Sequence, residues 1–233
     1  MTVWDRPEPP SRPAPVPLDR ERIVAAALAL ADEGGLEAVS LRKVAARLDA
    51  GPMRLYGYIS TKEELFDLMV DEVHGELLPD GPPAGGWREV LRERAHRLRQ
   101  AARRHEWLAD LLGGRPTLGP NALAATEAML AALDGLADLD TVRRAVETVN
   151  AYVIGAIRIE IAHLRAERAT GLSERDWQLA NGAYVTRMLA TGRYPALARA
   201  VHDGTEVGAE ESFATGLEWV LDAVAAKLGP PPA

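Results

Sequence analysis

Between residues 40 and 62 the chain carries Ser40, Arg42, Lys43, Arg54, Tyr56, Tyr58 and Lys62, donors suited to phosphates and base edges rather than to bond breaking. An arginine offers two parallel N–H groups to O6 and N7 of guanine, while hydroxyls, lysines and helix N-termini donate to phosphate oxygens. From Ala38 to Lys62 the bases Arg42, Lys43, Arg47, Arg54 and Lys62 meet a single acid, Asp49. From Glu63 to Asp80 there are seven acids and no Lys or Arg. The net charge of the whole chain is −7, which taken alone argues against a nucleic-acid partner. Exposed charges are screened beyond about 10 Å, however, so the local basic block decides.

Other chemistries find little support. There is no cysteine, which removes disulfides, thiolate metal sites and thiol nucleophiles. The histidines, His74, His96, His105, His163 and His202, are far apart in sequence. Glu160 and His163 stand three apart, as a di-iron bundle requires, but the second such pair and the further glutamates are missing. No glycine-rich phosphate loop and no nucleophile motif occurs. We expect no catalytic residue, no metal and no cofactor. A helical metal-binding enzyme, or an interaction scaffold without DNA binding, is the alternative reading.

The elements that position the donors are helical throughout. At 233 residues, 47% apolar and 26% charged, the chain can bury a substantial core. Residues 1–17 hold six prolines and read as a disordered arm, in which Arg6 and Arg12 could meet phosphates. Asp19 caps a first helix that Gly34-Gly35 ends, and Ser40 caps a second that carries Val44, Ala45 and Leu48 inward. Asp49-Ala50-Gly51 is a turn. Pro52, at home in a first helical turn, opens a third helix that the pattern carries to about Tyr58. A fourth, capped by Ser60 or Thr61, runs from Lys62 to about Leu78, and a Gly/Pro loop spans 80–86.

Two short helices joined by a three-residue turn form a helix-turn-helix, whose second helix fits the major groove of B-DNA. That reading exposes Pro52, Met53, Arg54, Tyr56, Gly57 and Tyr58 to the groove and turns Lys62 to the DNA backbone. Ser40, Arg42 and Lys43 stand at a helix N-terminus, where N–H groups attract phosphate.

Beyond residue 86 the pattern gives helices over Trp87 to about Arg104, Asn121 to about Leu136, Asp140 to about Glu167, Ser173–Thr191, Pro195–Val201 and Glu211–Leu228, with a short segment at Trp107–Leu112. The helix from Asp140 is apolar on more than one face, which calls for burial on more than one side. Charges at Glu147, Arg158 and Glu160, with His163, break the longest apolar stretch, so no membrane span is expected and the chain reads as cytosolic.

The stretch from Ser40 to Leu65, SLRKVAARLDAGPMRLYGYISTKEEL, resembles the DNA-binding domain of the tetracycline-repressor (TetR) family in Val44-Ala45, Leu48, Leu55-Tyr56, Tyr58-Ile59, Lys62 and Leu65. Asp49 replaces the usual turn glycine, and aspartate tolerates a left-handed backbone. The resemblance continues through Leu112–Thr117, Gly155 and the ending Phe213 to Val220. It implies an all-α fold, with an arm over 1–17, a helix-turn-helix domain over 18–65 and a helical ligand-binding and dimerisation domain over 66–230. It also implies a homodimeric repressor that binds a palindromic operator in double-stranded DNA and is released by a small-molecule effector in its core.

Candidate effector contacts are Leu98, Trp107, Leu111, Arg115, Met129, Tyr152, Arg158, His163 and Trp177. Candidate dimer contacts are Val153, Gly155, Ile157, Phe213, Leu217, Val220, Leu221 and Val224. The positions that hold drug and magnesium in the tetracycline repressor are Leu78, Leu111 and Arg158 here, which cannot coordinate a cation. Arg158 instead suggests an anionic or carbonyl-rich effector.

Overall fold

In the computed structural model, which describes residues 2–9, 18–79, 81, 85–115, 117–205 and 207–229, the Asp19 carboxylate accepts from the Arg22 backbone N–H at 2.8 Å and starts the first helix. That helix, α1 (Arg20–Ala38), is broken where the sequence places its end. Gly34 and Gly35 leave helical geometry, Gly35 at φ 70°, and one more turn follows. α2 (Leu41–Arg47) begins at Ser40, whose side chain accepts from the Lys43 N–H. Asp49 then takes the left-handed φ of 49° that the turn needs. α3 (Pro52–Leu55) is a single turn, and Thr61 caps α4 (Lys62–Glu76). Val44, Ala45, Leu55, Ile59 and Leu65 are fully buried where α1 to α4 meet.

The remaining helices are α5 (Trp87–Arg104), α6 (Leu108–Leu111), α7 (Pro120–Ala132), α8 (Leu139–Thr170), α9 (Glu174–Leu189), α10 (Pro195–Asp203) and α11 (Ala209–Ala225). Among the described residues there is no strand, and no helix is long and apolar enough to cross a membrane. α8 is the spine, packing on α5, α6, α7 and α11. It is capped by Asp138 and ended by Gly171 at φ 69°.

Only one face of α8 is buried, through Val142, Val146, Val149, Val153, Ile157 and Ile161. Ile159 on another face is 60% exposed, so burial on all sides is not met within one chain. α9 and α10 bury almost nothing and pack on each other.

Of the arm expected to be disordered over 1–17, the described residues 2–9 pack on the helix-turn-helix. Val3 is buried, and Arg6 grips Glu64 through Nη1 at 3.2 Å and Nη2 at 2.6 Å while donating to Ser60 Oγ at 2.7 Å. Arg20 in turn donates to the Arg6 carbonyl at 2.6 Å. Proline blocks helix, but not a bound extended strap held by one buried side chain and one bidentate ion pair. Arg12 lies outside the described residues.

Candidate nucleic-acid interface and effector core

α3 stands on Leu55, which is fully buried, and turns its other side chains outward. Met53 is 80% and Tyr56 50% exposed, and Pro52, Arg54 and Gly57 are exposed beside them. Arg42 and Lys43 are exposed on the first turn of α2, next to the half-buried Ser40. Arg47, at the end of α2, is paired with Glu33 at 2.7 Å. The side chains of Arg42, Lys43 and Arg54 have no hydrogen-bond or ion-pair partner among the described residues, so no internal bond has to break before they meet a phosphate or a base.

Two expected contacts are placed elsewhere. Tyr58 is buried, and its hydroxyl donates to the Leu18 carbonyl at 2.7 Å. The helix was expected to continue to Tyr58, but it stops at Leu55. The Tyr58 N–H closes a turn on the Leu55 carbonyl at 2.9 Å, and the ring swings inward to tie the start of α1. Lys62 is half-buried. Its ammonium donates to the Leu36 carbonyl at 3.3 Å and lies 5.0 Å from the centre of the Phe66 ring. It shares the Leu36 carbonyl with the Val39 N–H, which donates to it at 3.2 Å, instead of reaching outward.

Among the polar joints that tie this end of the molecule to the rest are those made by Asp32 and Asp71. Asp32 on α1 accepts from Trp107 Nε1 at 2.7 Å and lies 2.8 Å from His105 Nδ1. Asp71 on α4, a buried carboxylate, accepts from the Ala122 N–H at 2.9 Å and from the Asn121 N–H at 3.4 Å, at the start of α7. It acts as the cap that Gly119 cannot supply. A Cβ on Gly119 would stand 2.2 Å from the Asp71 carboxyl.

The expected effector contacts do not converge on one cavity. Trp107 is a buried strut held by Asp32, and Leu98 is buried core. Leu111 is half-buried and Arg115 exposed. Arg158 is exposed near the Gly113 turn. Trp177 and His163 border an open cleft of about 280 Å³ between α8 and α9. Tyr152 donates to the Phe213 carbonyl at 2.8 Å beside a cleft of about 560 Å³ between α8 and α11. Glu160, paired with His163 in the sequence reading, instead holds the buried Arg99 at 2.6 and 2.9 Å. No cluster of potential metal ligands occurs among the described residues.

Met129 alone of the expected contacts lines the cavity among α4, α5 and α7. That cavity also exposes Arg94, which the sequence reading passed over. The signal was present: Val90, Arg94 and Leu98 succeed one another at steps of four on the inner face of α5, and an arginine in an apolar stripe calls for a partner.

Most of the expected dimer contacts also serve the core of the single chain. Val153, Ile157, Phe213, Leu217, Leu221 and Val224 are buried within the chain, where α8 packs on α11. Gly155 and Val220 are half-buried. The outward apolar groups include Leu139, Ile159 and Trp219, the last 72% exposed. The sequence pattern shows that these helices have two apolar faces, but not which of them the chain keeps for its own core.

Comparison with known proteins agrees with this architecture. The profile of bacterial regulatory proteins of the tetR family matches residues 23–69, and that of the tetracyclin repressor-like C-terminal domain matches residues 78–228. The HTH-type transcriptional repressor DrrR1 of Streptomyces coeruleorubidus is 38% identical over 94% of this chain and 82% of its own. The tetracycline repressor protein class D of Escherichia coli is 28% identical over 64% of this chain and 69% of its own. Among solved structures, ActR of Streptomyces coelicolor in complex with actinorhodin superposes with a TM-score of 0.78 at 28% identity, covering 94% of this chain and all of that one. With its helix-turn-helix and its helical core both matched, the chain belongs to the tetR family of bacterial regulatory proteins.

Proposed function

We propose that this chain is a cytoplasmic repressor that binds a palindromic operator as a homodimer and leaves it when a small organic molecule enters the core. The observation that carries the reading is the exposed α3 with Arg54, Met53 and Tyr56, flanked by the unpaired Arg42 and Lys43. A repressor at 38% identity and a structural relative described with bound actinorhodin support both halves. In this reading residues 18–65 read the DNA, and residues 66–230 bind the effector and pair the protomers.

The working parts follow from the two joints. α4 begins beside α3 and is clamped to α7 through Asp71. α1 is clamped to the segment before α6 through Asp32. An effector that shifts α7 or α6 changes the spacing of the two α3 helices, which must stand roughly 34 Å apart to enter successive major grooves. Effector and operator then compete through two arrangements of one dimer.

The test is selection of a duplex by the purified chain from random sequence, followed by affinity measurements on the recovered site. Arg54→Ala should cost about 1–3 kcal/mol and relax the preference at one base pair. Lys43→Ala should weaken all sequences alike and lower the salt slope by about one. A chain that enriches no duplex would refute the reading.

A further inference from the structure

Arg94 is a half-buried cation to which the described residues bring no anion. On α5 it sits between Val90 and Leu98, and it opens onto the cavity walled by Leu77 and Leu78 at the end of α4 and by Ala125 and Met129 of α7. No carboxylate pairs with it among the described residues, where its side-chain partner is His74, with Nη2 3.0 Å from Nδ1. A guanidinium can only donate, so His74 accepts through Nδ1 and is neutral, with its proton on Nε2. Burial together with the Arg94 charge holds His74 down to about 4, so it adds no countercharge at neutral pH. Burial also brings the Arg94 guanidinium down to about 10, still high enough to keep it charged.

The neighbouring arginines show the contrast. Arg97, on the same cavity, is matched by Glu93 at 2.5 Å. Arg99, one turn on, is buried but held by both Glu160 and Glu210. A buried charge without its partner lowers stability, and a group of this kind facing a cavity marks a place where a partner arrives from outside.

Resting on the reading of an effector-released regulator, we propose that the effector is an apolar organic acid whose carboxylate, or an equivalent anionic group, is bound by Arg94. Its apolar body lies against Leu77, Leu78 and Met129. The cavity measures about 40 Å³, room for about one water, so such a molecule enters only by moving a wall. The wall made by α4 is the one that leads to the DNA-reading end. α4 is roughly 22 Å long at 1.5 Å per residue, and its first turn is joined to α3 by residues 56–61. The anion therefore neutralises Arg94 while the body displaces the C-terminal end of α4 from α7.

The test uses the full chain, with anthraquinone-2-carboxylate and the uncharged anthraquinone-2-carboxamide as matched probes in titration calorimetry. The expected result is a preference for the carboxylate of about tenfold or more in the wild-type protein, the size of one charge-assisted contact. That preference disappears in Arg94→Gln and is partly kept in Arg94→Lys. Thermal melts guard against misfolding, since Arg94→Gln removes an unmatched charge and should melt at or above the wild type. Equal binding of the two probes, no binding of the carboxylate at millimolar concentration, or a preference that survives in Arg94→Gln overturns the proposal. A wild-type chain that enriches an operator but shows no anion preference loses only this inference; one that enriches no duplex loses the regulator reading itself.

Discussion

The Asp71 carboxylate of α4 accepts a hydrogen bond from the Ala122 backbone N–H, 2.9 Å away in the first turn of α7. A carboxylate from one helix caps another and offsets the partial positive charge at its N-terminus. α7 has no capping side chain of its own, because Gly119 stands at that place. The glycine is needed there, since any Cβ would meet the Asp71 carboxyl. The link between the DNA-bearing helix and the effector core is thus a buried charge on a helix end.

Asp71→Ala leaves buried N–H groups of α7 without a partner. We expect a loss on the order of 2 kcal/mol, which for a chain of this size lowers Tm by roughly 4–8 °C. The same variant should change the amount of effector needed to release DNA, because Asp71 joins α4 to α7. A melt within a degree of the wild type would show that the clamp carries no load.

Tyr56 and Tyr58 separate DNA contact from stability. Tyr58→Phe deprives the Leu18 carbonyl of its partner and should cost about 1 kcal/mol with operator affinity unchanged. Tyr56→Phe, at an exposed position, should leave stability within about 0.5 kcal/mol of the wild type and weaken operator binding. Paired melts and binding isotherms check both, and the reverse pattern would return Tyr58 to the DNA face.

His74 gives stability a pH dependence. Burial, then the nearby Arg94 charge, lowers it from 6.5 to about 4. Between those values the unfolded chain binds the proton more strongly than the folded one, so stability rises with pH. The contribution is full above about pH 6.5 and is lost as pH falls toward about 4, by at most about 3 kcal/mol. Glu218, held down to about 2 chiefly by Arg92 and Arg88, begins to lose its share only below the ordinary carboxylate value of 4.5. The interval between pH 6.5 and 4.5 therefore reports on His74. Urea melts across it should flatten in His74→Gln, and an unchanged slope in that variant would assign the effect to another group.

The helix-turn-helix was legible because its signals are local. Asp19, Ser40 and Thr61 cap helices, Asp49 takes the left-handed turn, and Pro52 opens α3. What could not be read depends on which way a side chain leaves a helix end. Tyr58 turns inward because α3 stops at Leu55, and Lys62 turns back to the Leu36 carbonyl and the face of the Phe66 ring. The effector contacts were obscured for a related reason. Trp107 and Arg158 look like pocket residues by type, but the first is claimed by Asp32 and the second points outward. Arg94 was legible by its place in an apolar stripe, and its lack of a carboxylate became visible only once the neighbouring helices were in place.

The apolar groups left outside bear on assembly. Ile159 on α8 and Trp219 on α11 are 60% and 72% exposed, and a Cβ added at Gly155 would meet no atom within 4 Å. Burying a side chain of this size gains about 1.5–3 kcal/mol, and in a two-fold pair each position counts twice. A homodimer formed through this face should therefore fail when Ile159 becomes Asp, since two copies bring like charges into a desolvated contact. The fold should survive, because Ile159 contributes little to the core of its own chain. We expect sedimentation at micromolar concentration to show a monomer with a near wild-type melt, and operator affinity to fall because a monomer engages one half-site. A variant that remains dimeric would move the interface to α9 and α10, where Trp177, Leu179, Tyr184, Leu197 and Val201 are also exposed.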